Sequence, residues 1–290
     1  MKRPAPAFLL PAAVALLAAL PSLFPGFIHD DHRLIEQNRL VQETGRLPEI
    51  LARGYWTVDD RQVPNLYRPV TILSFALNRL ATGPGAFGFR VVDLLLHVLV
   101  TVLVSCVARR VITASGAGAG AAGGGALAAA LLFAAHPVHT EALGLVVGRS
   151  ELLMALWTLL ALQLFLDGGR VAPLLLLPLA IFSKESGVAA PFLLLAADRL
   201  RPKPRASLRF HTLAFGVLVT CLAVRSFVLG AVAPQAFTHF IDNPIAHLPW
   251  PRSLFTALAA LARYAVLLVW PWNLSIDYSF ASIPEAASLF

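Results

Sequence analysis

The sequence predicts an all-α, polytopic membrane helix bundle, and three observations support this fold class. Of the 290 residues, 58% are hydrophobic and only 13% are charged, and the mean hydropathy is +0.72. A soluble domain carries about 25% charged residues, so this chain lacks the charge needed to cover a water-facing surface. Apolar runs close to the roughly 20 residues that a helix needs to cross a bilayer also recur along the chain.

Eight apolar segments are candidate spans, which predicts seven or eight crossings within a single membrane domain over residues 1–290. The first segment is more typical of a retained anchor than of a cleaved signal peptide, because it is long and no small-residue cleavage site ends it. Prolines inside several segments predict kinked or broken helices. The segments lie at residues 6–28, 91–112, 122–147, 151–167, 171–184, 186–198, 210–231 and 253–272.

Lysine and arginine accumulate in cytoplasmic loops, so their positions indicate the orientation of the spans. They lie at Lys2 and Arg3, at Arg109 and Arg110, at Arg170, and between Arg199 and Arg209. All four sites fall on one side if the segments 122–147 and 151–167 form one out-and-back pair and 171–184 and 186–198 form another. The second pair then consists of two short helices that meet at Ser183–Ser186. The N-terminus is then cytoplasmic, and the net charge of +7 reflects topology rather than a nucleic-acid partner.

The connections between the spans also carry predictions. Residues 29–90 are expected to form an external loop that contains apolar runs with polar breaks, such as Val70–Leu80, and short interfacial helices. The Gly- and Ala-rich segment Ala114–Gly125 is typical of a linker on the cytoplasmic side. Cys106 and Cys221 lie in apolar runs, so we expect two buried thiols, with neither a disulfide framework nor a metal site.

This topology brings three polar clusters to the external side. Polar groups at membrane depth normally face a bundle interior or a water-filled cavity. A cavity lined by acids, histidines and cations and walled by apolar helices suits a substrate with one greasy and one charged part, such as a lipid phosphate. The clusters are Asp30-Asp31-His32, then His136-Pro137-Val138-His139-Thr140-Glu141 with Arg149 and Glu151, and finally Lys184-Glu185.

Each polar residue also has a plainer interpretation, which the sequence leaves open. Asp30 and Asp31 either cap the helix that begins near Arg33 or perform chemistry at the membrane edge. His136, His139 and Glu141 are either interfacial or in contact with substrate, and a metal is disfavoured because Pro137 breaks the helix.

The remaining cations also have both a structural and a ligand-binding interpretation. Lys184 and Glu185 neutralise each other or bind a ligand, and Arg68 either supports its loop or binds a ligand. Arg263, in the middle of an apolar helix, is expected to be buried and to need a counter-charge from a phosphate or a glutamate.

In this order the polar motifs resemble a known family over nearly the whole range 28–280. The chain is similar to the transmembrane and tetratricopeptide-repeat O-mannosyltransferase-like proteins and their bacterial relatives, within the GT-C glycosyltransferases. Each motif is weak alone, and the ordered set is specific. The motifs are Asp30-Asp31-His32, Tyr67-Arg68-Pro69-Val70-Thr71, Phe87-Gly88-Phe89-Arg90, Leu94-Leu95-Leu96-His97, His136-Pro137-Val138-His139-Thr140-Glu141-Ala142, Gly148-Arg149-Ser150-Glu151, Lys184-Glu185-Ser186, Arg263-Tyr264 and Leu274-Ser275-Ile276-Asp277-Tyr278-Ser279.

The resemblance implies transfer of a mannose-like sugar from a polyprenyl-phosphate donor to a hydroxyl of a protein or glycan on the non-cytoplasmic face of a membrane, here a bacterial inner membrane. It implies that an acid of the first external loop, Asp30 or Asp31, is the general base. It implies further helices and repeats after Asp277, so residues 253–290 are expected to begin a truncated C-terminal part. The sidedness of 273–290 and the cofactor, including a divalent cation, stay open.

The expected site therefore has four kinds of residues. Asp31 or Asp30 takes a proton from the acceptor. Arg149, Lys184 and Arg68 hold the donor phosphate, and His136, His139 and Glu141 shape the pocket. Further substrate contacts are expected from His32, Glu151, Glu185 and Arg263. Two other classes compete with this reading: a transporter, disfavoured because the chain has no matching halves, and a non-catalytic scaffold or fragment.

Overall fold

The computed structural model describes residues 8–58, 61–63, 66–199, 206–230, 244–272, 274–275 and 284–286. The chain divides into two compact units, Met1–Ala135 with Ala142–Pro234, and His136–Glu141 with Gln235–Phe290. A single membrane domain over 1–290 stays a prediction. The α-helices are α1 (Leu9–Ala19), α2 (Arg39–Gln42), α3 (Pro69–Thr82), α4 (Ala86–Ala114), α5 (Ala119–Ala135), α6 (His139–Gly144), α7 (Arg149–Leu166), α8 (Val171–Ile181), α9 (Ala190–Arg199), α10 (Leu208–Leu229) and α11 (Arg252–Val269).

The prediction of an all-α membrane protein is confirmed, whereas the predicted number of crossings is not. Among the described residues, four helices are long and apolar enough to cross a membrane: Ala86–Ala114, Val146–Leu166, Leu208–Leu229 and Arg252–Val269. Shorter apolar helices lie at Leu9–Leu23, Ala119–Ala135 and Val171–Ile181. A crossing count of seven or eight therefore stays a prediction.

Residues 29–90 contain short helices, as predicted, and have a folded core of their own; their position outside the membrane and at its interface stays a prediction. A π-helical turn at His32–Glu36, helix α2 and a 3-10 stretch at Thr44–Ala52 precede a hairpin of β1 (Trp56–Val58) and β2 (Arg61–Val63). Helix α3 covers the apolar run Val70–Leu80. Buried apolar side chains of these elements pack together; they include Leu34, Ile35, Leu40, Ile50, Phe75 and Phe89.

The break predicted at Ser183–Ser186 is confirmed. Helix α8 ends at Ile181, a 3-10 turn covers Glu185–Ala189, and α9 begins at Ala190. A Cβ atom at Gly187 would lie 2.5 Å from the backbone carbonyl of Ala180, so only glycine lets this turn pack against the end of α8. The break leaves two charged residues, Lys184 and Glu185, at the junction.

The linker predicted over Ala114–Gly125 is wrong for its second half, because α5 begins at Ala119. Alanine has the highest helix propensity, which outweighs the cost of the interspersed glycines. A Cβ atom at Gly125 would lie 2.5 Å from the Ile112 side chain, so small residues allow α5 to approach α4 closely. The buried face of α5 repeats every four residues and consists of Ala122, Ala126, Ala130 and Ala134.

The ends of the helices in the first unit agree with the charge pattern of the sequence. Arg110, near the end of α4, pairs with Asp167, just after α7, at 2.6 Å. The Arg170 guanidinium, before α8, lies 5.5 Å from the Phe210 ring centroid of α10, and Asp198 of α9 lies 3.2 Å from His211 of α10. These contacts gather the described basic connections at one end, called the basic end below; Lys2, Arg3 and 200–205 lie outside the described residues.

The two cysteines differ in burial. Cys221 is buried as expected, whereas Cys106 is only partly buried because its position on α4 is not fully covered by other helices. Both are free thiols.

Candidate active site

The two aspartates of the first loop lie in different environments. Asp31 is fully buried, and its carboxylate accepts hydrogen bonds from the backbone N–H groups of Ile28 at 3.2 Å and Val147 at 3.0 Å. Asp30 is exposed. His29, directly before it, has φ of +47°, in the left-handed region that is strained for a residue other than glycine. The loop therefore holds one acid inside the protein and leaves the other accessible.

Arg90 of α4 fastens this loop to the bundle. Its side chain is 1% exposed and donates hydrogen bonds to the carbonyl oxygens of Ser22 at 3.1 Å, Gly26 at 2.6 Å and Gly144 at 3.1 Å. Its Nη2 atom lies 3.9 Å from Oδ2 of Asp31. Burial raises the pKa of the Asp31 carboxyl, and the backbone hydrogen bonds and the Arg90 charge act in the opposite direction.

Arg68 joins the hairpin region to the junction between α8 and α9. Its Nε and Nη2 atoms donate to the Glu185 carboxylate at 2.9 and 2.6 Å, and its guanidinium lies 4.8 Å from the Tyr55 ring centroid. Burial raises the pKa of the Tyr55 phenol to about 12, with Arg68 opposing the shift and the charges of Asp30 and Glu185 adding to it. Asp30, Tyr55, Arg68 and Glu185 therefore share one electrostatic environment.

Lys184 completes this arrangement from the same junction. Its Nζ atom forms an ion pair with the carboxylate of Glu151, in the first turn of α7, and both side chains are partly exposed. The junction between α8 and α9 thus contacts α7 through Lys184 and the loop over residues 29–90 through Glu185. We call Asp30, Tyr55, Arg68, Glu151, Lys184 and Glu185 the charged cluster.

Arg149 is placed differently from the other cations. It is fully buried; its Nε atom lies 2.5 Å from Asp93 Oδ1 of α4, and its Nη2 atom donates to Asn78 Oδ1 of α3 at 2.7 Å and to the Phe89 carbonyl at 2.9 Å. The guanidinium also lies 4.9 Å from the Phe75 ring centroid. Its role as a phosphate ligand stays a prediction, and these contacts bind it to protein on every side.

Two predicted residues lie at a surface. His32 is exposed and pairs with Glu36 one turn further along the chain. Arg263 is exposed on α11, so the expectation that it is buried is wrong. The helix itself is one of the least covered apolar helices, with 17% of its apolar window buried, which explains the exposure. Contact of either residue with substrate stays a prediction.

The histidine motif belongs to the second unit. His136 Nε2 lies 3.1 Å from the Leu268 carbonyl oxygen, and the His136 and His139 ring centroids are 6.2 Å apart. Next to them is a cavity of about 390 Å³ with mainly apolar walls. Its lining includes Val138, Thr140, Glu141, Tyr264, Leu268 and Ser275. In the described ranges no three His, Cys, Asp or Glu side chains are grouped to hold a metal. Asp277 lies outside the described residues.

Sequence reasoning assigned no role to four residues that organise the first unit, although Arg90 belongs to one of the family motifs: Tyr55, Asn78, Arg90 and Asp93. A signal for Asp93 was present, because it is the only acid within the apolar segment 91–112 and such a residue needs a partner. Arg90 directly before that segment carries the same signal. Tyr55 and Asn78 have no comparable signal, since their importance comes from contacts far apart in sequence.

Together, the apolar helices and the charged cluster define a multi-pass membrane protein with a polar site at one end of its larger unit. Residues 231–290 match the family model described as Protein O-mannosyl-transferase TMTC, DUF1736. These findings and the relatives below confirm the resemblance to the transmembrane and tetratricopeptide-repeat O-mannosyltransferase-like family.

Curated relatives match almost the whole chain. Protein O-mannosyl-transferase Tmtc1 of Drosophila melanogaster is 30% identical over 96% of this chain and 35% of its own length. Tmtc2 of the same organism is 32% identical over 96% of this chain and 31% of its own length. Human TMTC3 is 27% identical over 92% of this chain and 32% of its own length. The chain therefore spans about a third of the length of these relatives. No solved structure matches.

Proposed function

We propose that this chain is the membrane-embedded catalytic part of an O-mannosyltransferase that moves mannose from a polyprenyl phosphate to a Ser or Thr hydroxyl of a protein. The similarity to proteins named as O-mannosyl-transferases supports mannosyl transfer. The observation that supports the proposal is the charged cluster, where the exposed acid Asp30 acts on the same phenol, Tyr55, as Arg68 and Glu185, and where Lys184 adjoins Glu185 in the chain. A lipid-linked donor suits this site because its tail stays in the bilayer while its phosphate meets the cations.

Asp30 is the proposed general base. A base must reach the acceptor hydroxyl, and Asp30 is exposed whereas Asp31 is fully buried. As Asp30 takes the proton, the acceptor oxygen bonds to the anomeric carbon of mannose. The bond between that carbon and the phosphate oxygen breaks, and polyprenyl phosphate leaves. Asp31 and Arg90 are positioning residues that hold the loop in place.

Arg68 and Lys184 are the proposed ligands of the donor phosphate. Their side chains are 13% and 28% exposed, and each is already balanced by a glutamate, Glu185 or Glu151. A phosphate that enters the cluster either displaces these carboxylates from the cations or binds the cations together with them. The cations stabilise the phosphate further as its negative charge grows in the transition state. Arg149, which has no exposed surface, is assigned to holding α7 against α3 and α4. His32, His136, His139, Glu141 and Arg263 stay candidates for substrate contact.

The proposed orientation places the basic end in the cytoplasm and the charged cluster outside, in accordance with the excess of arginine at the basic end. Single cysteines at exposed positions, Gly45→Cys in the loop and Ser115→Cys after α4, test this in a Cys106→Ser, Cys221→Ser background. We expect an impermeant maleimide to label Gly45→Cys in intact cells and Ser115→Cys only after lysis. The reverse pattern would overturn the orientation.

A transfer assay tests the activity itself. The chain is reconstituted in liposomes with polyprenyl-phosphate [³H]mannose and a Ser/Thr-rich peptide. We expect label in the peptide and release of polyprenyl phosphate, with no transfer from GDP-mannose when the lipid carrier is absent. Absence of transfer from the lipid donor, together with accumulation of a solute inside sealed vesicles, would support a transporter instead.

A further inference from the structure

The basic end of the first unit contains a cavity that the proposed function does not use. It has a volume of about 490 Å³ and lies where α9 ends and α10 begins. Leu195, Leu208 and Phe215 form apolar walls, and Phe215 is fixed by an edge-to-face contact with Phe192 at 4.9 Å between ring centroids. Arg199 and Thr212 supply polar groups to the same lining. The cavity therefore combines apolar walls with a polar part of the lining that includes Arg199.

The acid in this cavity is already occupied. Asp198 is buried, and its two carboxylate oxygens accept hydrogen bonds from the Ala206 backbone N–H at 3.3 Å. His211 Nε2 lies 3.2 Å from the same carboxylate. The carboxylate is thus hydrogen-bonded to protein donors, and among the described contacts no salt bridge joins it to Arg199 or Arg209.

Arg199 belongs to the cavity lining, and Arg209 follows the lining residue Leu208 on α10; neither has an acidic partner among the described residues. Arg199 and Arg209 are exposed, and within the described parts of the chain no carboxylate lies within 4 Å of either guanidinium. Arg110 at the same end contrasts with them, because it is paired with Asp167. Unpaired arginines are well suited to phosphate groups, which they bind through several N–H donors.

The surroundings of the cavity are apolar and exposed. Phe192 and Leu193 on α9 are 55% and 45% exposed, and Leu208 and Leu213 on α10 are 79% and 50% exposed. Such faces on a membrane helix lie against acyl chains. A ligand in the cavity therefore meets hydrocarbon and arginine together, which matches the two parts of a phospholipid.

We propose that this cavity binds an anionic phospholipid, with its phosphate headgroup at Arg199 in the lining, its charge supported by Arg209 next to the lining residue Leu208, and an acyl chain along Leu208 and Phe215. A free phosphate shares the headgroup chemistry but would leave the apolar walls without a partner. The lipid site lies at the end opposite the charged cluster and does not depend on the proposed transferase activity.

Lipid exchange in nanodiscs tests the proposal. The whole chain is placed in phosphatidylcholine discs, and native mass spectrometry measures the phosphatidylglycerol that it retains. We expect a clear preference for phosphatidylglycerol, reduced about fivefold by each arginine removed in Arg199→Gln and Arg209→Gln. Arg199→Lys with Arg209→Lys should retain most of the preference, since the charge remains. The exposed Arg252→Gln, outside the cavity, is the matched control and should change nothing.

A second variant separates the cavity from general surface charge. Thr212→Trp fills the cavity and keeps both arginines, so it should also remove the preference; unfolding temperatures in pure phosphatidylcholine verify that each variant is folded. An unchanged preference in the double glutamine variant, or an equal loss in Arg252→Gln, would overturn the proposal. Displacement of the bound lipid by millimolar inorganic phosphate would assign the site to free phosphate and overturn the lipid as its occupant.

Discussion

Replacing Asp30 by asparagine is expected to lower mannosyl transfer by about 10²–10⁴-fold, the usual contribution of a general base. The change keeps the size of the side chain and removes the group that accepts the proton. Because Asp30 is exposed, we expect the unfolding temperature to stay within the error of the wild-type value. Initial rates with lipid-linked mannose and unfolding in the same detergent provide both measurements.

The adjacent Asp31→Asn is the matched control. Asparagine would turn an NH₂ group toward the backbone N–H of Ile28 or Val147, leaving a buried donor without an acceptor. We expect a loss of about 1–3 kcal/mol of stability. Any loss of activity should then follow the loss of folded protein. If Asp31→Asn abolishes transfer while folding normally and Asp30→Asn retains full activity, the two roles are reversed.

The second large effect is expected at the buried pair of Arg149 and Asp93. Arg149→Leu leaves the Asp93 carboxylate buried without its cation, and breaking a buried pair in this way costs about 3–5 kcal/mol. We therefore expect a large loss of folded protein in membranes and a strongly lowered unfolding temperature in detergent. The result also separates two assignments, because a phosphate ligand would lose activity without unfolding.

Two further variants test whether Arg149 acts through the buried pair with Asp93. Arg149→Leu combined with Asp93→Leu removes both charges, and such apolar replacements of buried pairs are often neutral, so much of the stability should return. Arg110→Leu breaks a partly exposed pair at the basic end and should cost no more than about 1 kcal/mol. Equal destabilisation by Arg110→Leu and Arg149→Leu would contradict a special role for the buried pair.

Much of the fold follows from local patterns in the sequence. The break between α8 and α9 was predictable because two short apolar segments flank Lys184 and Glu185, and the distribution of arginine required an even number of crossings there. Helix α3 was predictable from its apolar run after a proline. The start of α5 was not, since glycine-rich composition suggests a linker unless close packing against Ile112 is known.

The sequence predicted which residues belong to the candidate site better than it predicted the role of each residue. Motifs identified Asp30, Arg68 and Lys184, which share one end of the first unit. Sequence alone does not distinguish Asp30 from its neighbour Asp31, because their burial is decided by contacts with Arg90 and Val147, both distant along the chain. The partners of Arg149 are likewise set by packing of separate helices.

The pairing of Arg68 with Glu185 and of Lys184 with Glu151 has a consequence for the proposed mechanism. Each of these two cations already has a carboxylate partner, so an incoming phosphate must compete with that carboxylate. If the chain transfers a sugar from a lipid phosphate as proposed, the lipid phosphate left after transfer meets the same competition. The two glutamates would then weaken donor binding and favour release of the carrier lipid.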